Sequence, residues 1–323
     1  MKRYFIAGGN GFIGSSLARR ILLRNAEDEV VIYDNLSSGK KEFLDEKLRN
    51  FALGRLIEIV GDIEDQATLF SAMMGADVVI HLASNPRIEL AITDPTIDFW
   101  QGTFLTQLIL EGMRLNKIKT IFYASGSGMY GENPKVKFNE NYAPMMPIST
   151  YGASKLAGEA LICSYCNMFD MTGRSFRFAN VVGKNQTHGV AYDFINRLRL
   201  DPTKLAILGD GNQTKSYIYV EDVIRAIFAV EQQCKLKYDV FNIATEDYVS
   251  VDYIANIVAS EMGIKPDFYY TGGDRGWKGD VPKIMFDSSK IREFYGWKNL
   301  FTSRQAIVES VRERLEVNRF FQP

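Results

Sequence analysis

Histidine and cysteine are the scarce residues of this 323-residue chain, with two of the former and three of the latter. Two histidines cannot build a histidine-rich metal centre, and three cysteines do not make a disulfide framework; so few fit a reducing compartment. Cys163 and Cys166 form a C-x-x-C in a segment that reads as helix. Without a second pair, they are better described as two small buried side chains than as a redox or metal site. Excess charge is missing too. Lys plus Arg number 38 against 39 Asp plus Glu, a net charge of −1, so nothing advertises a nucleic acid or an acidic membrane as partner. No run of about 18 apolar residues is available to span a bilayer. The opening MKRYFIAGGN enters a strand with no long apolar stretch before a cleavage site, so a cytoplasmic protein without a signal peptide is expected. Repeats, low-complexity tracts and flexible linkers are absent as well.

What the chain does have is apolar mass: 46% hydrophobic residues, 21 Phe and 16 Tyr. That suits one large α/β domain or two sharing a core. Strand-like runs at 3–7, 29–33, 56–60, 78–82, 120–124 and 175–178 alternate with helical patterns at 12–24, 66–73, 97–115 and 151–169. Near-continuous apolar strands separated by helices predict a parallel sheet covered on both faces, with ligands outside the carboxyl ends of its strands. Beyond Asn180 the rhythm loosens. Helices are expected at 192–200, 221–231, 251–262, 288–294 and 303–317, and VFNIA at 240–244 reads as a strand returning to the large sheet.

Immediately after the first strand, AGGNGFIG places Gly8, Gly11 and Gly14 in a G-x-x-G-x-x-G spacing. Glycine permits the tight strand-to-helix turn and lets a pyrophosphate approach the backbone, where free N–H groups and the helix dipole bind it. The second strand ends in Asp34, 20 residues after Gly14. A carboxylate there accepts the hydroxyls of an adenosine ribose and repels a 2′-phosphate, which favours NAD over NADP. After the third and fourth strands come GDI and HLAS. Asp62 is placed to accept from an adenine amino group, and Ala83 is small enough to let a cofactor pass.

YGASK sets Tyr151 and Lys155 four apart at a helix start, hence on one face. The expectation is that a nearby ammonium and a positive nicotinamide stabilise the phenolate and lower its pKa, so that the tyrosine exchanges a proton with an alcohol. ASGSGMYG at 124–131, at the end of the fifth strand, faces this pair. Extended geometry puts Ser125 and Ser127 on one side with Gly126 pointing away, and one of the two serines is expected to supply a catalytic hydroxyl.

Taken together, GGNGFIG, DNLSSG, GDI, HLAS, YGASK, FRFANVVG, LGDGNQTKSYIYVEDV and GGDRGWKGDVP resemble an extended short-chain dehydrogenase/reductase of the NAD-dependent nucleotide-sugar epimerase/dehydratase family. The likeness runs over essentially the whole chain and is nearest to UDP-glucose 4-epimerase-like members. It implies a Rossmann-type doubly wound parallel sheet (1–179 plus about 215–245) binding NAD. A smaller interleaved α/β domain (180–214 and 246–323) would bind the nucleotide sugar. By the same resemblance, Gly8, Gly11, Phe12, Ile13 and Gly14 line the pyrophosphate. Asp34, Asn35, Ser37 and Ser38 surround the ribose, Asp62 and Ile63 meet the adenine, and Leu82 and Ala83 flank the dinucleotide. Tyr151 is then the acid/base and Lys155 its electrostatic partner. Asn180, Val190, the 206–208 backbone (Ala206 to Leu208), Lys215, Arg275 and Asp280 contact the nucleotide sugar. Relatives pair two helices, here 102–116 and 151–168, into a homodimer.

Departures from the family pattern bear on the reaction. Lysine replaces the usual arginine at 215, at a cost in bidentate phosphate geometry. A frequent asparagine becomes Phe99 or Gly102, and the usual Ser or Thr falls on Gly126. Dehydratase and decarboxylase relatives carry a Glu where this chain has Gly128, so elimination loses its recognisable residue. A 4-epimerase, which oxidises the sugar at C4 and returns the hydride to the opposite face, is expected, with UDP-glucose/UDP-galactose or N-acetyl forms as substrate. The alternatives are another nucleotide-sugar oxidoreductase or 4,6-dehydratase, and a non-catalytic dinucleotide-binding regulator.

Overall fold

The computed structural model describes residues 1–319; positions 320–323 of the expected second domain lie outside the described residues. Two compact units make up the chain. One comprises 1–126, 150–177 and 233–241, and the other 127–149, 178–232 and the residues from 242 onward. No helix among the described residues is long and apolar enough to cross a membrane.

The first unit alternates strand and helix as its apolar runs predict: β1 (Arg3–Ala7), α1 (Phe12–Arg24), β2 (Glu29–Asp34), α2 (Glu46–Phe51), β3 (Leu56–Val60), α3 (Gln66–Ala72), β4 (Val78–His81), α4 (Leu105–Leu115), β5 (Thr120–Gly126), then, after β6 (Lys137–Phe138) of the other unit, α5 (Thr150–Met168) and β7 (Thr172–Phe178). The sheet has seven strands in the order Tyr238–Ile243, β7, β5, β4, β1, β2, β3. The strand from the 240–244 motif thus returns to the sheet edge. Strand alternation sends Phe5, Ala7, Val31, Tyr33, Val79, Ile121 and Tyr123 into one core with Leu108, Ile109 and Met113 of α4 and Ile162 and Cys166 of α5. Tyr4, Ile6, Val30, Ile32 and Ile80 are equally buried and by the same alternation face the other way, which is why these strands have almost no polar residue.

Register positions the site. Ala7 is level with Tyr33 on one side and His81 on the other, and His81 is level with Tyr123. Four strands therefore end together: Asp34 and Gly126 close β2 and β5, and the exit loops of β1 and β4 carry Gly8–Gly11 and Leu82–Ser84. The order changes direction at β1/β4, the switch point at which such sheets open a crevice.

One expected element differs. The helix expected over 97–115 begins as a π-helical turn, Phe99–Phe104, and becomes α4 only at Leu105. A Cβ on Gly102 would lie 2.7 Å from Ser154 Oγ of α5, so the widened turn presses on α5 where only glycine fits. The short helix α2, capped by Asp45 accepting from Leu48 N–H, is an addition to the expected elements.

The second unit has its own core, in which Phe194, Ile195, Leu198, Ile254, Ala255 and Ile307 meet. These come from helices Val190–Leu200, Val251–Met262 and Ser303–Arg319. Short strand pairs frame it: Asn180–Val182 with Tyr217–Tyr219, Lys204–Ile207 with Asp267–Tyr270, and Thr214–Lys215 with Val249–Ser250.

Candidate active site

At the dinucleotide end, the glycines are sterically required. Gly8 is left-handed (φ 80°), and a Cβ on it would sit 2.9 Å from Ala83 N. A Cβ on Gly14 would sit 2.2 Å from the Gly8 carbonyl oxygen, which also accepts the Gly11 N–H at 3.2 Å. The turn delivers α1 with Gly11 as N-cap, no side-chain cap and no acidic residue in its first turn. The N–H groups of Phe12, Ile13 and Gly14 thus lack intrahelical acceptors and point at an anion site.

Asp34, 8% exposed, accepts N–H groups from Asn10 (2.9 Å) and Leu36 (2.8 Å). Burial pushes its carboxyl up while those N–H groups hold it down. Each oxygen keeps a lone pair for a ribose hydroxyl. Beside it, Asn35 donates to Asp62 (2.7 Å) and the Tyr33 hydroxyl donates to the Asp62 carbonyl (2.7 Å), which steadies the adenine end. Ser37 and Asp62 are exposed, whereas Ser38, Ile63, Leu82 and Ala83 are half-buried. A cradle that a Cβ would fill, an uncapped helix start and a shielded carboxylate together fit NAD.

At the chemical end, Tyr151 and Lys155 share a face of α5 as expected, but the tyrosine's acidity departs from expectation. Burial, and then Asp98, push Tyr151 up to about 12, with Ser84 acting in the lowering sense. Lys155 does not offset this because it sits 5.5 Å from the Tyr151 ring centroid and donates to the Ala124 carbonyl at 2.9 Å. Its burial pushes it down to about 8, against the attraction of Asp98. In the protein alone the phenol is therefore protonated at neutral pH.

Asp98 is a site residue that sequence reasoning missed. Only 1% exposed, it accepts from Thr150 Oγ1 (2.7 Å) and Asn85 Nδ2 (3.1 Å), tying the start of α5 to the loop after β4. Phe99, one of the two positions (with Gly102) that stand where the family has an asparagine, is half exposed and stacks on Phe104. His81 lies beneath the site. Its Nε2 is 3.0 Å from Thr106 Oγ1, and that hydroxyl donates to the Gly102 carbonyl at 2.8 Å. The proton must then be on Nε2. Burial and Lys155 push this histidine down to about 3.

The placement of ASGSGMYG needs correcting. The strand extends to Gly126, and a Cβ built there falls 3.7 Å from the Tyr151 hydroxyl oxygen and 3.8 Å from its ring. Position 126 faces the tyrosine, and alternation turns buried Ser125 the other way. Ser127 begins a 3₁₀ turn, Ser127–Tyr130, so the extended geometry invoked for both serines ends before it.

In the second unit Lys215, Asp280 and Arg275 come together. Lys215 Nζ lies 2.5 Å from Asp280 Oδ1, and the other Asp280 oxygen accepts the Gly276 N–H at 3.2 Å. Arg275 pairs with Asp274 (3.1 Å) and Glu132 (3.3 Å), which push its already high pKa further up. Both cations thus have carboxylate partners. Leu208 is exposed, the Ala206 carbonyl accepts from Arg197 (3.0 Å), and Val190 opens its helix. Asn180 is level with Tyr217 in the paired strands.

The profile of the "NAD dependent epimerase/dehydratase family" matches residues 4–244. The chain belongs to that family. It is 31% identical to the "Putative UDP-glucose 4-epimerase" of Methanocaldococcus jannaschii, over 97% of this chain and 99% of the relative. A crystal structure of a UDP-galactose 4-epimerase superposes with a TM-score of 0.85 at 33% identity, over 98% and 99% of the two chains. The dTDP-glucose 4,6-dehydratase DesIV of Streptomyces venezuelae reaches 0.87 at 23% identity over 98% of each chain, a likeness of fold alone. Like the family, this enzyme is NAD-dependent, and the residues above are those that would hold the cofactor.

Proposed function

We propose that this enzyme is a nucleotide-sugar 4-epimerase acting on UDP-glucose/UDP-galactose or their N-acetyl forms. The observation that carries this reading is the glycine at 128, where dehydratase relatives carry a Glu. Asp98, the carboxylate that acts on Tyr151, is buried and held by two hydrogen bonds. Proton exchange at Tyr151 suffices for epimerisation and does not suffice to expel water. The names of the 31% and 33% identical relatives point the same way.

Bound NAD supplies the hydride acceptor and the hydride donor. The Tyr151 phenolate, formed once the phenol has lost its proton, would take the C4 hydroxyl proton during oxidation and return it on reduction. Lys155 lends positive charge and holds the nicotinamide ribose. In the first unit, Gly8, Gly11, Phe12, Ile13 and Gly14 take the pyrophosphate, Asp34, Asn35, Ser37 and Ser38 the ribose, Asp62 and Ile63 the adenine, and Leu82 and Ala83 flank the dinucleotide. In the second, Lys215 and Arg275 exchange a carboxylate for the substrate diphosphate. Asn180, Val190, Ala206, Leu208 and Asp280 border the nucleotide. The enzyme works in the cytoplasm as a dimer joined through α4 and α5.

Incubation with UDP-glucose should yield UDP-galactose without release of NADH, and Tyr151→Phe should abolish turnover while NAD stays bound. Formation of a 4-keto-6-deoxy product would assign a dehydratase, and net NADH release another oxidoreductase. Tight NAD binding with every sugar nucleotide inert would assign a regulator.

A further inference from the structure

We infer that Tyr123, on β5, is a positioning residue for Lys155: its ring, with that of Tyr151, holds the buried ammonium by cation–π attraction. This rests on the role given above to Lys155 as the positive charge beside Tyr151.

The geometry lies wholly within the first unit. Lys155 Nζ stands over two rings, 5.2 Å from the Tyr123 centroid and 5.5 Å from that of Tyr151. Both distances are inside the roughly 6 Å over which a ring face attracts a cation. Lys155 and Tyr123 are each 2% exposed, so water does little to solvate the charge and the attraction is at its strongest. The ammonium donates to the Ala124 carbonyl at 2.9 Å, which leaves its other N–H groups for the ring faces.

Tyr123 is held in place from three sides. Strand β5 carries it next to Ala124, the lysine's acceptor. On β4, His81 is level with it, and the two ring centroids are 5.3 Å apart. On α5, Gly158 stands three residues beyond Lys155, and a Cβ there would lie 2.7 Å from Tyr123 Cζ. Glycine inside a helix costs about 1 kcal/mol relative to alanine. Here the missing side chain is what lets the tyrosine lie against the helix beside Lys155.

The neighbouring charges are committed elsewhere. Asp98 attracts Lys155 but accepts from Thr150 and Asn85, and Glu159 is bonded to Arg177. His81 is pushed down to about 3 and is neutral, with its Nε2 on Thr106. Burial pushes the Tyr123 hydroxyl well up, so this tyrosine is neutral too. It acts through its ring face and not as a counter-ion. Burial pushes Lys155 down to about 8, and the rings oppose that loss of charge.

Weakening the ring face without changing its shape tests this in the NAD-loaded enzyme. Position 123 is made phenylalanine, then phenylalanine carrying one, two and three ring fluorines. Lys155 is titrated by 13Cε-lysine NMR, its signal assigned by its loss in Lys155→Met. Tyr123→Phe keeps the ring and should leave the Lys155 midpoint near that of wild type. Fluorine draws electrons from the face, so the midpoint should then fall stepwise, by about one unit over the series. At the pH of the wild-type midpoint the ammonium fraction drops from about a half to about a tenth. There kcat, with sugar nucleotide in excess, should fall about fivefold with little change in KM. A midpoint unmoved by fluorination, or moved as far by Tyr123→Phe as by three fluorines, would overturn the inference. A stepwise fall in a protein that turns over no sugar nucleotide would support Tyr123 and overturn the epimerase reading. A flat series in a protein that converts UDP-glucose to UDP-galactose would do the reverse.

Discussion

His81 should make the protein acid-labile well before its carboxylates do. The side chain is 1% exposed and is pushed from 6.5 down to about 3 by burial and by Lys155. Its protonation therefore opposes folding. The unfolded chain binds this proton at about 6.5 and the folded chain only near 3, so the stabilisation is complete above 6.5 and is lost as pH falls toward 3. At about 1.4 kcal/mol per pKa unit, the loss between pH 7.5 and pH 5 is roughly 2 kcal/mol from this group alone. The only other histidine, His188, is exposed. Asp34, Asp222 and Glu313 have carboxyls raised by burial, so they act in the opposite sense, equally in wild type and variant. Urea unfolding at the two pH values, by circular dichroism, gives the measurement. In His81→Gln an amide can still donate to Thr106 and cannot take a proton, so the pH-dependent loss should shrink by about 2 kcal/mol. Equal losses in both proteins would refute the assignment.

Two comparisons follow from packing. Gly14→Ala puts a methyl 2.2 Å from the Gly8 carbonyl and should abolish NAD retention, read by the absorbance of released cofactor. Gly54→Ala, left-handed at φ 81° but with nothing within 4 Å, should retain NAD and cost about 1 kcal/mol. Glu159→Gln breaks a pair with Arg177 in which both side chains are nearly fully buried (4% and 6% exposed, 2.7 Å) and should cost about 3–5 kcal/mol in urea titration. The same change at Glu261, whose partner Arg312 is largely exposed, should cost under about 1 kcal/mol.

The sheet was legible in the sequence because a strand buried on both faces must be written almost entirely in apolar residues, as YFIA and VVIY are. The dinucleotide turn was legible for a related reason: a left-handed residue against a neighbouring backbone excludes every side chain, so Gly8 and Gly14 advertise themselves. Tyr151 and Lys155 were readable because a helix imposes their spacing locally. Asp98, Asn85 and Thr150 left no such mark, because their partnership joins a loop, a helix start and a π-helical turn through long-range packing. Gly102 could not signal that turn either, since its reason is the Ser154 side chain of another helix.

The direction of residue 126 shows where that boundary lies. By sequence alone, ASGSGMYG contains small residues near the tyrosine, and which of them faces it depends on where the strand stops. The phase of β5 turns position 126 toward Tyr151. The linear pattern determined the fold, the cofactor and the shared helix face of the Tyr151/Lys155 pair, since each needs residue types at fixed local spacing. The partners of that pair, and the acidity of the phenol, depend on burial and on contacts between strands far apart in the chain, and only the tertiary structure decided those.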